Sequence, residues 1–233
     1  RSRRFAFGYS NTITNTIEYS FSINDLHNLT LLAGQEGTRN YSESFGASSS
    51  GQIDDRLLLL QNGKKETFSM SESMTESRFL SFFGRLMYDF NNRYFLDFTF
   101  RNDASSRFGA NNRNAMFWAA GFLWKVKNEA FMQKYAWLND LDFKISYGTQ
   151  GNSEIGNYGS LGLIAATTNW DTNASWYFVQ PANPELTWEK QKLFSVGFSG
   201  KVFNKLDFEL SYWLRNTTDM LMGVPNPYTT GYP

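Results

Sequence analysis

The chain of 233 residues has no cysteine and a single histidine, His27. Disulfide frameworks, thiolate zinc sites, iron–sulfur clusters and thiol nucleophiles are thereby excluded, and most histidine-dependent chemistry goes with them. Proline is scarce, at 5 residues. Neither sign of charge is in excess: Lys and Arg number 22, Asp and Glu also 22, and the formal net charge is zero. Such a chain projects no long-range field to gather nucleic acid, and no nucleic-acid partner is expected. Long apolar runs are missing too. The longest, Ala115 to Trp124, spans ten residues, where a membrane-spanning helix needs about 20. The first residues, Arg1 to Tyr9, lack the apolar stretch and small-residue cleavage site of a secretory leader. The expectation is a cytosolic chain or part of a longer product.

What is abundant is aromatic: 22 Phe, 12 Tyr and 7 Trp make 18% of the chain, beside 18 Gly. That mixture favours strands over helices. Phe5, Phe7, Tyr9, Ile13, Ile17, Tyr19, Phe21 and Ile23 all fall on odd positions, with Thr, Ser and Glu18 between them. This is period two, sustained far beyond the ~5 to 6 residues of an ordinary strand. Asn24 to His27 supplies a turn, with His27 expected to be solvated there. A second strand is expected over about 28–36. Residues 37–77, rich in Ser, Gly and Glu, read as a long loop with a short local strand at Leu57 to Leu60. Alternation resumes over 80–90, 94–103, 118–126, 141–147, 194–198 and 206–215.

The spacing therefore predicts about eight strands whose connections alternate in length. Those at 24–28, 91–93 and 202–205 are tight and that at 127–140 is medium, whereas 37–77, 104–115 and 150–188 are long. Short periplasmic turns opposite long extracellular loops are the expected asymmetry of an outer-membrane β-barrel. The charged positions on one face, among them Glu18, Arg85, Asp97, Arg101 and Lys144, are too costly for a dry core, so that face is wet. Trp118 and Trp124, six residues apart, are expected near opposite edges of an apolar band. Two other arrangements share the strand pattern: a self-closed eight-stranded barrel of structural or adhesive type, and a soluble β-sandwich binding module.

Chemistry is sparsely represented. One histidine rules out a serine triad. Any metal site would be nearly all-oxygen; Asp54-Asp55 has no EF-hand spacing, and Asn62-Gly63-Lys64-Lys65 lacks the remaining parts of a phosphate loop. No spacing selects an acid/base pair among the carboxylates. No catalytic residue, metal or cofactor is expected. The loops are more informative. Tyr158, Trp170, Trp176, Tyr177 and Trp188 place aromatic rings in segments expected outside lipid, where sugars stack and peptides pack, and these are the candidate ligand or lid contacts.

Longer motifs add a resemblance. The run Arg101-Asn102-Asp103-Ala104-Ser105-Ser106-Arg107-Phe108-Gly109-Ala110-Asn111-Asn112-Arg113 closely resembles one in the SusC/RagA-type TonB-dependent outer-membrane transporters. Phe117, Trp124, Glu129, Phe131 and Met132 follow at that family's spacing, although Trp118-Ala119 stands where Pro-Ser is usual and Ala104 where Gly is usual. Tyr147 through Asn152, Ile155 through Tyr158, Asn183 through Glu189, and the Tyr212 to Gly231 segment agree as well. The resemblance covers residues 78–233. It implies an all-β, antiparallel transmembrane barrel segment, about eight strands of a larger 22-stranded barrel, with residues 1–233 forming part of one barrel domain. It also implies a plug domain, signal peptide and TonB-contacting segment beyond these residues. The implied partners are a SusD-like surface lipoprotein that lids the barrel, the TonB-ExbB-ExbD complex acting through the plug, outer-membrane lipid, and an oligosaccharide or peptide substrate. Arg107, Phe108, Asn112, Arg113, Trp188 and Glu189 are then expected to be structural.

Overall fold

The computed structural model describes residues 1–168, 173–224, 227 and 229. Ten strands follow one another: β1 (Ser2–Ile23), β2 (His27–Ser48), β3 (Ser69–Phe90), β4 (Tyr94–Ser105), β5 (Asn114–Lys125), β6 (Leu138–Asn152), β7 (Leu163–Thr168), β8 (Ala174–Gln180), β9 (Glu189–Val202) and β10 (Leu206–Thr218). Eight of them form one antiparallel sheet in the order β1-β2-β3-β4-β5-β6-β9-β10, while β7 and β8 pair as a separate hairpin. The edges, β1 and β10, are not partners, so these residues do not make a self-closed eight-stranded barrel.

Turn chemistry sets the register. Asn24 and Asp25, Asn91 and Asn92, and Phe203 and Asn204 all have φ between 51° and 55°, the paired left-handed residues of a type I′ hairpin. Antiparallel pairing then carries each face across the sheet. The row Phe21, Leu29, Tyr88, Leu96, Phe122, Ile145, Val196 and Tyr212 joins all eight strands on one face. One residue along, Ser20, Thr30, Met87, Asp97, Gly121, Ser146, Ser195 and Trp213 share the other. A slip by a single residue would exchange the two faces, so the pattern fixes the register strongly.

The apolar face is bare. Ile17 on β1 and Leu210 on β10 are both 72% exposed. Each such side chain forgoes about 1.5 to 3 kcal/mol of burial if left in water, and among the described residues no second sheet covers the face. A soluble sandwich would bury this face. The apolar limits also descend across the sheet, from Ile13 to Ile23 on β1 to Leu206 to Leu214 on β10, two rows below the Ile23 row at the turn end. That drift is what tilted barrel strands require of a band of constant height.

Three expectations about the chain are corrected. Residues 37–48 and 69–77 are not loop: β2 and β3 pair without interruption to Ser48↔Ser69. Their polar composition hides the alternation because these residues lie at and above the rim of the apolar band, and cross-strand hydroxyl and amide contacts such as Ser10–Asn40 (2.6 Å), Thr12–Thr38 (3.0 Å) and Ser44–Ser73 (2.9 Å) take the place of much apolar packing. Leu57 to Leu60 is no strand either, since the 49–68 connection holds short 3-10 turns at Leu60–Asn62 and Lys65–Thr67. His27, moreover, begins β2: its Nδ1 lies 2.6 Å from the Tyr88 hydroxyl and its ring 4.8 Å from Phe90. Tyrosine and phenylalanine pack against it, and the ring is half-buried.

Candidate functional site

All long connections emerge at one end, and there the molecule has its core. Phe108, Ala115, Phe117 and Trp188 are buried together, with Phe79, Ile155, Leu186 and Leu221 against them. Two sequence motifs far apart in the chain make this cluster by clasping each other. Gly109 N–H donates to the Leu186 carbonyl at 3.1 Å, Asn112 N–H to Gly109 at 3.0 Å, and the Asn111 and Asn112 amides donate to the Glu185 carboxylate at 2.5 and 3.2 Å. Gly109 is required by closeness: a Cβ there would lie 1.8 Å from the Pro184 carbonyl oxygen.

The residues expected to be structural occupy this clasp. Arg107 donates from Nε to Asn157 Oδ1 at 3.0 Å and from Nη1 to the Ser153 carbonyl at 3.2 Å, tying the β4–β5 connection to the segment after β6. Phe108 is fully buried, its ring 4.6 Å from that of Trp188. The Arg113 carbonyl accepts from Trp188 Nε1 at 3.2 Å and from Ser105 N–H at 3.1 Å. Glu189 accepts from Gln191 Nε2 at 3.2 Å.

The candidate ligand contacts divide. Trp188 is 2% exposed, its ring enclosed by Phe79, Phe108 and Phe117, so it offers no face to a ligand in this structure. Tyr158 is an anchor: its hydroxyl accepts from the Glu76 N–H at 2.8 Å and its carbonyl from Gln180 Nε2 at 3.0 Å. Trp176 and Tyr177 lie on β8, and both are exposed, Trp176 at 61% with Phe178 edge-on at 5.3 Å. The β7–β8 hairpin that carries them was not foreseen; alternation over Trp176, Tyr177, Phe178 and Val179 is too short to stand out, and both faces are apolar. Trp170, Pro225, Thr230 and Gly231 lie outside the described residues.

The polar face carries a second feature that sequence reading missed. Arg101 on β4 reaches Asp103 (2.6 Å), Ser81 Oγ (2.8 Å) and Glu36 (3.2 Å), with the Phe79 and Phe83 rings 5.9 and 5.5 Å from its guanidinium carbon. Only the two-residue spacing of Arg101 and Asp103 was legible; Glu36 is 65 positions away. Nearer the turns, Arg85 pairs with Asp97, and a concavity of about 560 Å³ is lined by Thr30, Met87, Asp89, Phe95, Leu123 and Lys144. Among the described residues no group of His, Asp and Glu is placed to hold a metal ion, and the Asp54 carboxyl is engaged by Arg56, whose hydrogen bonds hold it below the usual carboxylate range.

At the turn end the aromatic row is capped. Tyr94 and Trp124 stack at 6.3 Å, and both donate to Glu129 in the β5–β6 connection, at 2.5 and 3.2 Å, with Arg93 at 3.4 Å. Trp118, six residues up β5, packs on Tyr147 at 5.5 Å and shares the row of Phe100, Gly84, Ala33 and Ile17, so it lies inside the apolar band and not at its far edge as expected.

A tilted antiparallel sheet with one bare apolar face, one wet charged face and aromatic rims has few counterparts. The family model for the TonB dependent receptor-like β-barrel matches residues 1–233. The chain belongs to that family. Within it, the TonB-dependent receptor P26 of Formosa agariphila is 30% identical over 224 residues, 94% of this chain and 23% of that protein. The TonB-dependent receptor SusC of Bacteroides thetaiotaomicron is 31% identical over 166 residues, 68% of this chain and 17% of its own length. Two structures of the RagAB peptide importer superpose on 99% of this chain and 26% of theirs: the closed-closed state at TM-score 0.93 and 41% identity, the open-open state at 0.89 and 40%. The chain thus spans between 17% and 26% of the length of these relatives. In such a transmembrane barrel the apolar face meets lipid and the charged face lines the lumen.

Proposed function

We propose that these residues form part of the wall of a TonB-dependent importer in the outer membrane of a Gram-negative bacterium. It takes in peptides, or otherwise oligosaccharides, and has no enzymatic role. The likeness to the RagAB peptide importer along nearly the whole chain carries this reading, and favours peptides. A SusD-like surface lipoprotein closes the loop end, and TonB-ExbB-ExbD drives uptake through a plug that is not among these 233 residues. The Phe108–Trp188 clasp holds the loops while the exposed rings of Trp176 and Tyr177 are offered to ligand or lid, Trp170 being the third candidate. The near-equal match to closed and open states of that importer supports a rigid wall against which other parts move.

Uptake of a fluorescent peptide mixture and of a labelled oligosaccharide, in cells with and without the full gene, tests the reading. Loss of TonB-dependent peptide entry, with a lipoprotein recovered alongside the intact barrel protein, is the expected result. Unchanged entry of both labels in the deletion strain would overturn it.

A further inference from the structure

The lipid-facing side of β1 to β4 is not smooth. Its row Ile13, Gly37, Leu80, Ala104 has two small members, and around the position of a Gly37 Cβ there is open space within 4 Å. The resulting hollow measures about 600 Å³. Two rows nearer the turns, on the same four strands, a second hollow of about 460 Å³ is lined by Ile17, Ala33, Gly84 and Phe100.

The upper hollow has a charged rim. Arg39 and Arg78 occupy the next row of the same face and Arg113 lines the same space. Arg39 and Arg78 share one carboxylate, Glu76, at 2.9 and 2.6 Å. The Arg113 side chain makes no hydrogen bond or ion pair among the described residues; only its carbonyl is engaged. Three cations thus meet one anion. Tyr9 and Tyr41 stack at 5.4 Å in the row above, with the Arg39 guanidinium 5.9 Å from the Tyr9 ring, so interfacial aromatics mark this height as the rim of the apolar band.

An apolar groove alone would take any acyl chain, whereas guanidinium forks select planar or tetrahedral oxyanions. We infer that this strip binds a phosphate-bearing lipid of the surrounding leaflet. Its phosphate sits at Arg39, Arg78 and Arg113, and an acyl chain lies in the open space over Gly37, between Ile13 and Leu80. The inference rests on the outer-membrane reading above, though not on any substrate.

Native mass spectrometry of the full-length protein, delipidated in mild detergent and offered lipid A or its dephosphorylated form, provides the test. Lipid A is expected to be retained about tenfold better than the dephosphorylated lipid, and Arg39→Gln with Arg113→Gln to abolish that difference. Gly37→Leu, which fills the hollow and leaves the rim charges in place, is expected to weaken both lipids. Equal retention of the two lipids by the native protein would overturn the site, and so would complete displacement by millimolar inorganic phosphate, which marks a free-anion site. Outer-membrane fractionation and peptide uptake on the same variants separate the failures: altered lipid retention with unchanged uptake leaves the importer reading standing, and absence from the outer membrane sinks both.

Discussion

The indole of Trp188 donates to the carbonyl of Arg113 across 75 positions of sequence, at 3.2 Å. With the bonds of Gly109, Asn111 and Asn112 to Leu186 and Glu185 it closes the clasp between the β4–β5 connection and the approach to β9, and it leaves the Trp188 ring as the centre of the buried aromatic group. Replacing Trp188 by alanine removes the ring and opens a cavity, so a loss of about 3 to 5 kcal/mol is expected. Guanidinium unfolding of the full-length protein in detergent measures it, with Trp188→Phe expected to lose less.

Gly109→Ala drives a methyl group into the Pro184 backbone. The loops must part while the sheet, held by its own ladder, stays paired. Limited proteolysis is expected to cut within 106–113 and 153–188 in the variant and to spare both in the native protein.

Ile17 and Glu18 are adjacent in sequence and face opposite media. Ile17→Arg places a charge near the middle of the apolar band and is expected to cost about 2 to 4 kcal/mol, whereas Glu18→Gln on the lumen face changes stability by about 0.5 kcal/mol or less. Equal costs for the two, read from folding into lipid vesicles, would invert the assignment of faces.

Glu129 predicts an acid response at the turn end. Hydrogen bonds from Tyr94, and then Trp124, hold its carboxyl below the usual carboxylate value. A group whose folded pKa is depressed contributes fully above its unfolded pKa, about 4.3, and that contribution fades as pH falls through the lower folded value. Stability attributable to Glu129 is therefore constant at neutral pH and lost only in acid. Comparing native protein with Glu129→Gln from pH 7 downward should show a gap that closes below about pH 4.

Trp176 and Tyr177 are exposed on a two-stranded hairpin outside the main sheet. Their alanine variants are expected to unfold within about 0.5 kcal/mol of the native protein, and to lower peptide uptake or lid recovery. Unchanged uptake would remove both residues from the ligand-facing set.

Legibility followed the strength of the side-chain pattern. Where the apolar face is dense, as at Leu80 to Phe90 or Leu206 to Leu214, alternation located strand and face together. At and above the rim of the band, at 37–48 and 69–77, Tyr41, Phe45, Met70 and Met74 stand four apart and do not alternate with polar neighbours, and pairing with a neighbouring strand keeps the backbone extended. The clasp was half legible: both motifs stood out, but nothing in the order of residues said that Asn112 would meet Glu185, or that Trp188 would be enclosed when Trp176 is open.

By itself the sequence determined the strand number of the main sheet, its two faces and the alternation of short and long connections. These depend on period-two chemistry and turn residues, both local. Tertiary structure alone decided that β7 and β8 pair apart from the main sheet, that Arg101 gathers Glu36, Ser81 and Asp103, and that three arginines rim one hollow. Each of those depends on register between strands brought together from distant parts of the chain, and contact at such separations is a property of the folded sheet.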